Sequence, residues 1–260
     1  MDWSQKVFAY CERGLSPAFW AEPVNATTNV AFLIAALAAL ALLYREPNHK
    51  RTVTRHLLIA LVFIIGIGSF LFHTFATRWA AVADVAPIGI FMLAYLVFAL
   101  RRFVGANVFW SLVGLALFIG AMMAAGRLQC WDGQVGFNLD IPEGARGRCL
   151  NGSVGYLPAW GSMLLIGGYL SAFASDAFTR RRTGPLVLTA GIVFTASIAF
   201  RSLDMALCQT VAIAGTSIGT HFMWHVLNAV TLFLLLVAAI RHPLGRERQE
   251  ITPPRPARAY

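Results

Sequence analysis

The sequence predicts an all-α integral membrane protein: a bundle of seven transmembrane helices with its N-terminus outside and its C-terminus in the cytoplasm. Three observations predict it. The 260 residues are 58% hydrophobic and only 13% charged, with a mean hydropathy of +0.64, whereas soluble domains stand nearer half apolar and a quarter charged. Seven apolar stretches approach the ~20 residues that a spanning helix needs. Lysine and arginine, finally, are unevenly shared between the loops on the two sides.

The stretches follow in order. The first, 25–44, comes after a mixed, polar segment that lacks the basic-then-apolar order of a cleavable signal peptide. The second, 56–75, ends in "GSFLFHTF", and the third, 79–100, meets Asp84 early. The fourth, 108–125, is free of charge, as is the fifth, 154–174. The sixth, 185–203, carries Arg201, and the seventh, 218–240, opens on "GTHFMWHVLNAV". Charges inside the third and sixth blur their limits. With these spans, 14 of the 21 Lys and Arg residues fall in the first, third and fifth loops and the C-terminal tail, and 7 on the other side. Positive loops stay in the cytoplasm, which sets the orientation. The chain divides into an exoplasmic N-terminal segment, 1–24, a seven-helix domain, 25–240, and a basic cytoplasmic tail, 241–260. The tail reads as a topology signal and an anionic-lipid contact. Scarce lysine beside abundant arginine suggests a bacterial protein of the plasma (inner) membrane.

The net charge of +9 follows membrane topology, so it does not indicate nucleic acid, and there is no glycine-rich nucleotide loop. Retinal chemistry needs a lysine within a span, but the two lysines, Lys6 and Lys50, lie outside the spans. All four cysteines, Cys11, Cys130, Cys149 and Cys208, fall on the outer side, where disulfides are permitted. Order along the chain fixes no connectivity. Cys130–Cys149 is the pairing of shortest separation and leaves Cys11 with Cys208; four free thiols is the other outcome.

Ionisable groups in or beside a span are costly in hydrocarbon and usually mark function. Here they are His73, Asp84, Arg201, Asp204, His221 and His225. The second span runs outward to His73, while the third and seventh begin outside at Asp84 and at His221 and His225. Three imidazoles and a carboxylate therefore share one depth, in the outer half. His221 and His225, at i and i+4, lie on one helical face, a spacing that can hold a metal from one helix. By itself such a pair also serves as interhelical hydrogen-bonding glue. A third imidazole from His73 completes the three-ligand pattern of a catalytic zinc site, which acidifies its water to a pKa near 7. Asp84 has a competing reading, an ion pair with Arg78. Ser69 shares the face of His73 and reads on composition as a small packing residue beside Gly66 and Gly68. Arg201 and Asp204, three apart, read as an ion pair or cap. Trp79, Trp110, Trp160 and Trp224 read as belt or core residues.

The segments "YCERGLSPAFWAEPVNATTN", "GSFLFHTFATRWAAVADVAP", "RSLDMALC" and "GTHFMWHVLNA" together resemble the alkaline ceramidases, within the wider group of seven-helix membrane hydrolases that includes the adiponectin receptors. The resemblance runs from Tyr10 to about Asn228. It implies zinc ligands at His73, His221 and His225, a catalytic aspartate at Asp84, a site serine at Ser69 and a Cys11–Cys208 disulfide. It also implies calcium bound through an acidic N-terminal motif, matched by Glu12 and Glu22. There the sequence departs: Ala9 stands where the eukaryotic enzymes have an aspartate, Gly14 replaces an amide, and the step from Glu12 to Glu22 is one residue shorter. Calcium takes six to eight oxygens, so these losses weaken the site, and plain exposed acids are the alternative.

The expected activity is zinc-dependent hydrolysis of the N-acyl bond of a ceramide-like membrane lipid, with Asp84 as base and Ser69 as hydrogen-bond donor. The rival is a zinc-containing lipid-sensing receptor like the adiponectin receptors. Those proteins are thought to place the N-terminus in the cytoplasm, opposite to the charge distribution here.

Overall fold

The computed structural model describes residues 2–131 and 146–243. The loop residues 132–145 and the tail from 244 lie outside the described residues. Helices dominate: α1 (Pro23–Thr28), α2 (Val30–Arg45), α3 (Val53–Phe75), α4 (Arg78–Ala99), α5 (Val108–Arg127), α6 (Leu157–Phe173), α7 (Gly184–Leu203) and α8 (His221–Arg241). Among the described residues, six helical segments are long and apolar enough to cross a membrane: Pro23–Arg45, Val53–Phe75, Arg78–Val104, Val108–Arg127, Thr179–Leu203 and His221–Arg241. They occupy six of the seven expected positions. The fifth position holds α6, of 17 residues. It starts later than the apolar stretch because Cys149–Tyr156 forms a tight turn with Leu150, Asn151 and Gly152 at positive φ.

Two antiparallel pairs decorate the loops: β1 (Gln129–Trp131) with β2 (Arg146–Arg148), and β3 (Ala212–Ile213) with β4 (Thr216–Ser217). Helix α8 is the most enclosed of the six candidate spans, with 67% of its apolar window buried, against 11% for α5. The core around it joins Phe32, Val62, Phe91, Phe194, Trp224 and Leu236. Trp224 is buried in this core and Trp160 donates to the Thr195 hydroxyl, whereas Trp79 and Trp110 are exposed, as belt residues are.

Two local features set the position of the site. Pro87 lies inside α4 and has no N–H, so the carbonyl of Ala83, four residues earlier, lacks its helical partner. Gly68 of α3 packs directly on that carbonyl, and any Cβ at 68 would overlap it. This backbone contact brings Ser69 of α3 beside Asp84 of α4.

The second feature is a knot at the mouth of α8. Asp204 accepts from Cys11 N, Thr220 N and His221 N at 2.8–2.9 Å. It thereby caps α8, whose first N–H groups have no partner within the helix. Burial raises the Asp204 carboxyl against the opposing pull of these three amides. Gly219, at φ 63°, allows the chain to turn there; a side chain would strike Asp204 and Cys11. The disulfides are Cys11–Cys208 and Cys130–Cys149, which settles the connectivity that chain order left open. Arg201 does not pair with Asp204. It donates to the Asn151 carbonyl at 2.6 Å, the Ser153 hydroxyl at 2.9 Å and the Tyr10 hydroxyl at 3.1 Å, beneath the rings of Tyr10, Tyr156 and Trp224.

Candidate metal centre

The last turn of α3 and the first two turns of α8 bring His73, His221 and His225 together, all buried, with their ligand atoms within 4.8 Å of one another. Among the described residues they are the one group of at least three such side chains able to hold a metal. Hydrogen bonds fix two of the rings. His73 Nδ1 meets a Glu22 carboxylate oxygen; a carboxylate only accepts, so Nδ1 carries the proton. His225 Nδ1 lies 2.9 Å from the Thr28 hydroxyl. That hydroxyl directs its hydrogen to the carbonyls of Val24 and Asn25, so it accepts from His225. In the neutral rings both Nε2 atoms then present lone pairs, and they face each other at 3.1 Å.

Two lone pairs at that distance repel unless a cation joins them. Two nitrogens bound at about 2.0–2.1 Å to a tetrahedral ion stand about 3.3 Å apart. His221 adds a buried Nδ1 with no hydrogen-bond partner, and its ring is held by stacking on Tyr10, centroids 3.5 Å apart. The donor set therefore fits a zinc ion through three imidazoles, with carboxylate and hydroxyl partners behind two of them, as metal-bound histidines usually have.

Asp84 is half-buried next to this cluster. Its side chain hydrogen-bonds with that of Ser69 and lies within electrostatic reach of His73, Arg201 and Glu22; Arg78 is not among these groups. Ser69 is thus both the small residue of the α3–α4 contact and a polar neighbour of Asp84. One turn deeper along α3, α4 and α8, Ile65, Ile88 and Asn228 begin an almost wholly apolar cavity of about 690 Å³, its open mouth included. It continues between Phe91, Tyr95, Met163 and Leu232.

Glu12 and Glu22 are buried, not exposed acids. Glu12 accepts from Val24 N at 2.7 Å and Asn25 N at 2.8 Å, at the start of α1, and burial raises its carboxyl above the ordinary value. Glu22 accepts from Arg13 Nε, His73 Nδ1 and Asn25 Nδ2. Burial pushes its carboxyl up, but His73 and Arg13 outweigh this and hold it below the ordinary value. Both oxygens of each acid already have donors, and one acid contacts a guanidinium, so these residues do not fit a calcium cage. Sequence reading missed Tyr10, Arg13 and Thr28. Only the closeness of the first two to Cys11 hinted that they lie near the site.

The chain matches none of the curated proteins. A family model described as Ceramidase matches it over residues 8–253, a stretch that includes the three histidines, Asp84, Ser69 and both acids. With nearly the whole chain inside the match, the protein belongs to the ceramidase family.

Proposed function

We propose that the protein is a zinc-dependent membrane amidase that cleaves the N-acyl bond of ceramide-like lipids to a fatty acid and a sphingoid base. The convergence of three buried imidazoles on one point, beside Asp84 and above an apolar cavity, is the observation that carries this reading. Zinc held there would polarise the scissile carbonyl and acidify the attacking water. The chain's own residues supply the rest. Asp84 takes the water's proton and returns it to the departing amine nitrogen as the C–N bond breaks and the hydroxyl joins the acyl carbon. Ser69, turning from Asp84, donates to the oxygen that gains charge. The apolar cavity takes a hydrocarbon chain of the substrate and keeps water from it, its walls apolar as those of ligand pockets generally are.

Purified protein should contain about one zinc per chain and release fatty acid from N-acyl sphingoid bases within a panel of N-acyl lipids. Zinc-loaded, folded protein that releases none would favour the receptor-like reading.

The same proposal counts α6 as a seventh span, because 17 residues lie at the short end of what crosses a bilayer. It places the metal centre towards the exoplasmic side of a bacterial plasma membrane, with the N-terminal segment outside and the tail inside. The 14-to-7 division of Lys and Arg supports that orientation. So do the disulfides, since Arg201 ties Tyr10 to Asn151 and so gathers all four cysteines at one end. A Glu250→Cys tail should resist a membrane-impermeant maleimide in intact cells and react after permeabilisation. Labelling in intact cells would reverse the orientation.

A further inference from the structure

Arg13 is a charged residue in a polar loop, yet it is 3% exposed. Its guanidinium gathers five oxygens. Nε donates to the Glu22 carboxylate, one terminal nitrogen to the carbonyls of Ser16 at 3.2 Å and Ala18 at 2.8 Å, and the other to those of His73 at 2.9 Å and Thr74 at 3.4 Å. The His73 and Thr74 carbonyls belong to the last turn of α3, which ends at Ala76 in the left-handed conformation; its final carbonyls have no helical partners, and a cation there complements the helix dipole. A shell of one carboxylate and four carbonyls, all oxygen, is the chemistry that a hard divalent cation collects. Here a covalently attached cation sits in it.

The geometry points to Arg13 as the built-in cation of this metal centre: it does the work of a bound calcium ion, and the protein functions without calcium. The loop from Cys11 to Glu22 is folded around the guanidinium, and Glu22 is the link to the metal. With one oxygen held by Arg13, the other is fixed on His73 Nδ1, which sets the ring's tautomer and aims Nε2 at His225. Loss of the cation would leave Glu22 a buried, under-compensated anion, free to shift off the imidazole. Arg13 is therefore a positioning residue, acting on the metal through Glu22 and His73. It also accounts for Ala9 and Gly14: with no ion to coordinate, no acid or amide is needed at those positions.

The inference rests on the zinc-centre reading but is tested by binding, so the two can fail separately. Wild-type protein treated with a chelator and reloaded with zinc alone should take up no radioactive calcium, and millimolar calcium should not raise its melting temperature. Arg13→Gln, which keeps hydrogen-bonding groups but no charge, should bind zinc about 10–100-fold more weakly in competition with a chromophoric chelator. Arg13→Lys should recover part of that loss, charge without the planar fork. Glu22→Gln should weaken zinc similarly, and the Arg13→Gln/Glu22→Gln double variant by little more than either alone, because both act through one contact. If Arg13→Gln fails to fold, the Arg13→Lys and calcium-uptake measurements still decide. Stoichiometric calcium uptake with stabilisation of the wild type, or an unchanged zinc affinity in Arg13→Gln, overturns the inference. A wild type that holds zinc but hydrolyses nothing sinks the amidase reading and leaves this one standing.

Discussion

Replacing His221 with alanine is expected to strip the protein of its zinc and of nearly all amide hydrolysis. Among the described residues the imidazole is one of three converging on the centre, and a two-imidazole remainder, with water in the other positions, would hold an ion weakly. The substitution is cleaner at this position than at the other two. The bond from His221 N to Asp204 belongs to the backbone and survives in alanine, so the cap of α8 is retained. Neither Glu22 nor Thr28 loses a partner, since those belong to His73 and His225. The fold loses the stack on Tyr10 but keeps its disulfide. Metal-ion catalysis is worth several kcal/mol, and each 1.36 kcal/mol is tenfold in rate, so turnover should fall by roughly 10³-fold or more. Metal analysis and fatty-acid release on one preparation check this. A His221→Ala protein that retains one zinc per chain would show that the three histidines do not form the site.

Asp84→Asn should fail in the opposite way, keeping its zinc and losing its chemistry. The amide has the shape of the carboxylate and can still meet the Ser69 hydroxyl, but it cannot take a proton. Loss of a general base typically lowers turnover by about 10²–10⁴-fold. If Asp84 served only to pack α4 against α3, the loss would show in melting temperature instead, with activity per folded molecule unchanged. Its hydrogen bond to Ser69 and its electrostatic coupling to His73, one of the three imidazoles, are the basis for expecting the catalytic outcome. Zinc content, melting temperature and turnover measured together distinguish the two, and full activity in a folded, zinc-loaded variant would refute the proposed role.

Much of this arrangement was legible in the sequence because a membrane imposes simple rules. Apolar length located α2, α3, α4, α5, α7 and α8 to within a few residues, since lipid forces each spanning backbone to satisfy its own hydrogen bonds. Helical periodicity put His221 and His225 on one face, and alternation of the spans brought His73 to the same end. What was not legible depended on irregular backbone. Positive φ at Leu150, Asn151 and Gly152 shortened α6, and positive φ at Gly219 moved the start of α8 to His221. The role of Arg13 was not legible because nothing local indicates that its loop closes over the end of α3. The alternative of plain exposed acids at Glu12 and Glu22, which are buried, fails for the same reason. The separation of Arg201 from Asp204 follows from their neighbours: one is drawn to aromatic rings and loop carbonyls, the other to three amides.

The facing imidazoles of His73 and His225 are 152 residues apart in the chain, and that distance is also an interval of time. At translation rates of roughly 5–20 residues per second, α8 leaves the ribosome some 8–30 s after α3. On the proposed zinc-centre reading, a growing chain would for all of that interval hold one ligand of three. The disulfide adds a second delay, because Cys11 waits for Cys208 to be made and for an oxidant to join them. On that reading hydrolysis would begin only as a late step of biogenesis, when the two ends of the bundle meet.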